Sequence, residues 1–216
     1  PEVAMSGSLF PTYTRAERIA DAAIHMLGVP LGLIAAVWLV IAGWDGGRTT
    51  TASAIYGLGL VGMLSASAAY NLASHGTLKH ILRRIDHAMI FVMIAGTYTP
   101  FALLGLGGEM GGWLCGAIWT TAVLGVASKL LLPYGWERLS LVLYLAMGWA
   151  ILTVIGPLSD ALSMPAIVLV FIGGILYTIG TAFHSFKRLP FQNAFWHLLV
   201  LAAAACHFAS IYYEFV

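Results

Sequence analysis

Glu17, Asp21 and His25 recur every four residues, a spacing that stacks them on one face of a helix. Ser67 and Asn71 are four apart, Asp86 and His87 are adjacent, and Asn193 and His197 are again four apart. Carboxylates and imidazoles in such sets hold metal ions or move protons, and a hydroxyl beside them assists either chemistry. His197, Asp86, His25 and Ser67 are candidate site residues on these grounds. Glu17, Asp21 and His87 complete the polar cluster. Thr97, Tyr98, Thr99 and His207 add polar groups further along the chain.

The elements that must position these residues follow from composition. The chain has 216 residues, 60% of them hydrophobic and 9% charged, and its mean hydropathy is +0.90. Soluble domains carry about 25% charged residues, so the chain belongs in a membrane. A bilayer core of about 30 Å needs roughly 20 apolar residues per helix. Seven segments meet that length: 21–43, 52–73, 85–106, 113–132, 139–155, 165–183 and 193–213. The expected fold is an all-α bundle of seven membrane helices in one domain over residues 1–216, with no stretch left for a soluble module. The apolar runs are continuous rather than alternating, which excludes a β-barrel.

Ten Lys and Arg against nine Asp and Glu leave no electrostatic basis for nucleic-acid binding. Cys115 and Cys206 lie in apolar runs and read as buried thiols rather than a disulfide framework. Arg15, Glu17 and Arg18 interrupt the first twenty residues, which do not read as a cleavable signal. Trp44, Trp113, Tyr134, Trp136, Tyr212 and Tyr213 fall near span ends, as an interfacial aromatic belt requires.

Cation placement sets the expected topology. Arg15, Arg18, Lys79, Arg83, Arg84, Lys129, Arg138, Lys187 and Arg188 fall on one side if the spans alternate, and only Arg48 falls on the other. That split puts the N-terminus in the cytoplasm and the C-terminus outside. The polar residues of spans one, two, three and seven then converge in the cytoplasmic half of the bundle. Ionisable groups inside a membrane are costly and face the bundle interior. Structural roles compete for several of them. Glu17 suits the N-terminus of a helix through the macrodipole. Asp86 can pair with Arg83 and Arg84, and Asn71 and Asn193 can join helices through amide hydrogen bonds.

The stretch Leu82-Arg83-Arg84-Ile85-Asp86-His87-Ala88, followed by Ala95-Gly96-Thr97-Tyr98-Thr99-Pro100-Phe101, closely resembles the span-three signature of the hemolysin III family. That family is the bacterial branch of the progestin and adipoQ receptors and is related to alkaline ceramidases. Glu17-Arg18-Ile19-Ala20-Asp21 with His25 resembles its N-terminal motif, and Trp196-His197-Leu198 with Cys206-His207-Phe208 its last span. The resemblance implies a bacterial inner membrane and a zinc site in which Ser-x3-His and His-x3-His supply three histidine ligands while the span-three Asp and the Ser hold a zinc-bound water. On that pattern His197 and Asp86, with His25 if it joins, are the metal ligands here, and Ser67 and Asp86 the catalytic residues. The matching positions here are Ser67, Asn71, Asp86, Asn193 and His197, so Ser67, Asp86 and His197 agree and two ligand histidines are asparagines. A neutral amide is a weak zinc ligand. Unless His25 or another residue completes a metal site, the expected alternatives are a hydrogen-bond network of the two asparagines with Ser67, Asp86 and His197, a harder cation, or a bound water cluster.

Three functions compete at this stage. The first is a hemolysin III-like protein of lipid or membrane homeostasis, whose polar cavity takes a membrane lipid or acyl chain. The second is a metal-dependent hydrolase of a lipid amide or ester. The third is a proton or cation transporter or channel. A retinal protein is excluded because the last span holds no lysine for a Schiff base.

Overall fold

The structure, a computed structural model, describes residues 13–74, 76–132, 137–186 and 189–216. The elements in chain order are α1 (Arg15–Ala42), α2 (Arg48–Leu72), α3 (Thr77–Pro100) with a π-helical extension (Phe101–Leu106), and α4 (Gly108–Leu131). They continue with α5 (Glu137–Trp149), a 3-10 segment (Ala150–Val154), α6 (Ile155–Ala161), α7 (Met164–Ser185) and α8 (Gln192–Phe215). Among the described residues, seven helical stretches are long and apolar enough to cross a membrane, the fifth being Leu139–Ala161. There is no strand among the described residues. Lys187 and Arg188, and the belt residues Tyr134 and Trp136, lie outside the described residues. Cys115 and Cys206 are free thiols.

Several spans run beyond their expected limits, and two of the differences have identifiable reasons. The third begins at Thr77 rather than 85, because the amphipathic turn carrying Lys79, Arg83 and Arg84 continues the helix beyond the apolar run. The fifth extends past 155 but is broken in its middle. At that break the Tyr98 hydroxyl donates to the carbonyl of Met147 (2.8 Å) and accepts from the Ile151 amide (2.7 Å). A tyrosine from α3 therefore satisfies backbone groups released where the helix tightens, as lipid demands of any irregular backbone. Thr97 and Thr99 donate to carbonyls one turn back, at Met93 and Ala95, and Thr99 also accepts from the Trp119 indole. The Thr-Tyr-Thr stretch of span three is thus structural.

The sequence of α1 shows how a membrane helix presents its site. Its buried residues are Asp21, His25, Gly28, Gly32, Ala36 and Leu39, a stripe at intervals of three and four. The opposite face, with Met26, Leu27 and Ile34, is exposed to where lipid would lie. The stripe has small residues below its polar end so that the helices can close up. A Cβ on Gly32 would stand 2.4 Å from Leu64 Cδ1 of α2.

The N-terminal end of this stripe is tied down twice. Thr14 caps α1: its hydroxyl accepts from the Glu17 amide, while the Glu17 carboxylate accepts from the Thr14 amide (2.8 Å), a capping box. The other oxygen of Glu17 accepts from the backbone amide of Phe191 (2.9 Å), the residue that precedes α8. Phe191 has φ 55°, a left-handed conformation costly for a side chain with a Cβ. Glu17 thereby holds a strained turn in place and fixes the start of α8 against the start of α1. The expected macrodipole role is only part of what this residue does.

Candidate functional site

The Glu17 tether sets one turn of α8 beside the next two turns of α1, and the polar groups meet there. Asp21 Oδ1 lies 2.5 Å from His197 Nδ1, a hydrogen bond between residues 176 apart in the chain. Asp21 Oδ2 lies 3.6 Å from His25 Nε2, and the rings of His25 and His197 are 4.4 Å apart. All three residues are buried. An ionised carboxylate only accepts, so His197 carries a proton on Nδ1, which in the neutral ring leaves the Nε2 lone pair as the acceptor.

Span two answers that lone pair. Ser67 Oγ lies 3.3 Å from His197 Nε2, and Asn71 Nδ2 lies 3.5 Å from it. The Asn71 amide also donates to the Ser67 carbonyl (2.9 Å) and accepts from Asn193 Nδ2 (3.1 Å) on its oxygen. These two bonds fix which way the amide faces: oxygen toward Asn193, nitrogen toward Ser67 and His197. The expected network of two asparagines with Ser67 and His197 is present. Its carboxylate is Asp21 rather than Asp86.

Asp86, expected as metal ligand and catalytic residue, stands apart with His87. Its Oδ2 is 3.2 Å from His87 Nδ1, yet that nitrogen has no hydrogen-bond partner, because neighbouring residues on a helix do not face each other. His87 is held by its backbone, whose carbonyl accepts from the Tyr144 hydroxyl (2.8 Å). Asp21, which reads in the sequence only as part of the wider cluster, is the group at the centre. Its spacing of four from His25 was the available signal.

Both groups open onto one cavity of about 1220 Å³. Arg15, Arg18, Lys79, Arg83 and Lys129 line it at the end where α1 and α3 begin. From there it runs past Asp21, Asn71, Asp86 and His197 to Ile94, Phe101, Val170 and Phe171. The lining positions Lys79 and Phe101 on α3 are ~33 Å apart along a helix of 1.5 Å rise. The cavity is therefore long, with a cationic entrance and an apolar interior. Tyr13 stands at the entrance, where burial pushes its hydroxyl up to about 12 and keeps it neutral. Deeper in, His207 donates from Nε2 to the Val170 carbonyl (3.2 Å), while its Nδ1 and the Tyr177 hydroxyl have no partner. The His207 ring fits because Gly173 has no side chain: a Cβ there would lie 2.4 Å from it.

Among the described residues, Asp21, His25 and His197 form a group whose donor atoms all lie within 4.8 Å of one another. Two imidazoles and a carboxylate are a set that zinc accepts, and His25 Nε2 is buried without a hydrogen-bond partner. The three-histidine set implied by the resemblance does not fit, since Asn71 turns an N–H toward His197 where a ligand lone pair would be needed.

Comparison with known proteins agrees with the span signatures. A family model described as Haemolysin-III related matches residues 14–208. A hemolysin-3 homolog of Bacillus subtilis (strain 168) is 37% identical over 198 residues, covering 91% of this chain and 93% of its own length. Hemolysin-3 of Bacillus cereus is 34% identical over 194 residues, covering 89% of each. The human monocyte to macrophage differentiation factor is 28% identical over 166 residues, covering 73% of this chain and 68% of its own. No solved structure matches. The span-three signature, the matched length and these relatives place the chain in the hemolysin III family, as a multi-pass membrane protein.

Proposed function

We propose that this protein binds an acyl-chain lipid in the cytoplasmic leaflet of a bacterial inner membrane and serves lipid or membrane homeostasis, with an altered form of the family's zinc site. The observation that carries the reading is the cavity: cations at its entrance, a hydrogen-bonded polar centre at Asp21 and His197, and an apolar interior beyond. An amphiphile with an anionic or polar head and one chain matches that order of surfaces. The nine-to-one split of cations supports a cytoplasmic entrance. Asn71 and Asn193 replace two imidazole positions with a network that leaves one histidine, His197, at the original place.

Titration of the detergent-held protein with a fluorescent lysophospholipid tests the reading. Saturable binding is expected, weakened about tenfold or more, ~1.4 kcal/mol, by Ile94→Trp, which fills the apolar interior. Binding that is absent, or unchanged by that substitution, would sink it.

A metal-dependent hydrolase is a second reading, favoured by the unpartnered Nε2 of buried His25 beside Asp21 and His197. These three residues would hold the ion, and a bound zinc supplies an acidified water as nucleophile. Purified protein would then contain about one zinc per chain, lost with His25→Asn. Absence of metal after incubation with excess zinc would end this reading.

A further inference from the structure

Three of the residues already placed stand in an order that zinc chemistry does not require. Asp21 accepts from His197 Nδ1, and the opposite nitrogen of the same ring, Nε2, lies 3.3 Å from Ser67 Oγ. This is the acid–imidazole–hydroxyl relay of serine acyl transfer, which is recognised by geometry and roles rather than by sequence order. The proton positions agree. With Nδ1–H committed to the carboxylate, Nε2 is the bare acceptor that a general base must present to a serine hydroxyl. The Ser–imidazole distance is at the loose end of what enzymes show before substrate binds.

The amide of Asn71 supplies a second part. Its nitrogen lies 3.4 Å from Ser67 Oγ, and Asn193 holds its oxygen, so an N–H donor is fixed beside the hydroxyl. A side-chain amide in that position stabilises the oxyanion that forms when a hydroxyl adds to a carbonyl. Histidines at 71 and 193 would provide metal ligands; asparagines provide oriented donors. Asp21, Asn71 and His197 line the cavity, and Ser67 adjoins the last two of them.

We infer that Ser67, His197 and Asp21 form a metal-independent centre that cleaves the ester of an acyl-chain lipid held in the cavity. The inference rests on the lipid-binding reading above. In the first step Ser67 Oγ bonds to the ester carbonyl carbon and passes its proton to His197 Nε2, while the carbonyl pair moves onto oxygen beside Asn71. Return of that pair breaks the bond to the alcohol, which leaves with the proton from Nε2. An acyl ester on Ser67 remains. Water then adds to it, giving a proton to Nε2, and the acid departs as Ser67 Oγ recovers that proton. Asp21 stays ionised and positions the ring throughout. Ser67 and His197 are the catalytic residues; Asp21 and Asn193 are positioning residues.

The test uses the full chain in detergent with an alkyl fluorophosphonate, which phosphonylates activated serines, followed by intact mass measurement and peptide mapping. One adduct is expected, on Ser67, formed at the same rate with or without a strong chelator. His197→Gln should slow it by about 10²–10⁴-fold, the usual contribution of a general base. Ser67→Cys keeps the volume of the site, so it guards against loss of folding. It should abolish phosphonylation and gain His197-dependent alkylation by iodoacetamide. An adduct that disappears on chelation, or one that forms on another residue, overturns the proposal. So does a protein that binds the fluorescent lysophospholipid yet never labels, and this last result leaves the lipid-binding reading standing. Loss of lysophospholipid binding itself removes that reading and this one together.

Discussion

Two aspartate–histidine pairs line the same cavity and have opposite characters. Asp86 and His87 are neighbours in the chain, 3.2 Å apart, and share no hydrogen bond. Asp21 and His197 come from α1 and α8, are separated by 176 residues, and lie 2.5 Å apart with donor and acceptor aligned. A helix turns about 100° per residue, so adjacent side chains diverge however well their chemistry suits. Two helices held in register can aim side chains at each other. The productive pair is the one that the fold has to build.

The largest expected effect turns that pair back toward metal binding. Asn71→His together with Asn193→His would place two imidazoles beside His197 Nε2, with Asp21 behind the ring as the orienting carboxylate. Zinc affinity should rise by about three decades, ~4 kcal/mol, as read by competition with a chromogenic chelator. The same change should not involve Asp86. An affinity gain that depends on Asp86, or no gain, would show that spans two and seven do not converge as described.

Next in size is a contrast of truncations. Asp21→Ala leaves the buried N–H of His197 without an acceptor and should cost about 2–3 kcal/mol. Asp86→Ala removes a partly exposed contact with no hydrogen bond and should cost less than about 1 kcal/mol. Thermal unfolding in one detergent measures both. Equal losses would erase the distinction between the pairs.

The same contrast explains what could be read from the sequence. The seven spans follow from apolar run length, and the one-sided cations from their positions, because both are local properties of the chain. Grouping Asp21 with His25 needs only a spacing of four, and Asn71 with Ser67 likewise. The choice of Asp21 over Asp86 as partner of His197 was not legible. It depends on the rotation and axial register of α1 against α8, set by Glu17 reaching Phe191, and of α1 against α2, set by Gly32 admitting Leu64. Neither contact has a periodic signature. The break in the fifth span escaped for a similar reason: its relief comes from Tyr98, about fifty positions upstream.

That dependence on register makes Glu17 a smaller but sharper probe. Glu17→Ala removes the capping box and the bond to Phe191, and should lower the unfolding midpoint modestly as a lost cap. If the tether acts by bringing α8 onto α1, its loss is coupled to Asp21. Within Asp21→Ala the effect of Glu17→Ala should then shrink, while within Asp86→Ala it should persist in full. Strict additivity with Asp21→Ala would assign Glu17 to the cap alone, since contacts that share partners are the ones that fail to add.

The smallest effect belongs to a third aspartate, which needs no other helix. Asp45, between α1 and α2, accepts from the amides of Gly47 (2.7 Å), Thr49 (3.1 Å) and Thr50 (3.1 Å), and from the Thr50 hydroxyl (2.9 Å). It serves as the cap that Gly47, having no side chain, cannot provide for α2. The Gly47 amide, with that of Thr50, holds its carboxyl below the usual carboxylate range. A carboxyl whose value is depressed by folding stabilises the folded state above its unfolded value of about 3.9. That stabilisation fades as pH falls through the folded value. Asp45→Ala should therefore lower the unfolding midpoint slightly at neutral pH, and the difference from the unaltered chain should close steadily below about pH 4. Because every donor lies within five residues, the effect should be the same in Asp21→Ala and Asp86→Ala backgrounds. A gap that stayed open in acid would mean that Asp45 acts through packing rather than through its charge, and a gap that varied with Asp21 would join two ends of the bundle that the hydrogen bonds keep separate.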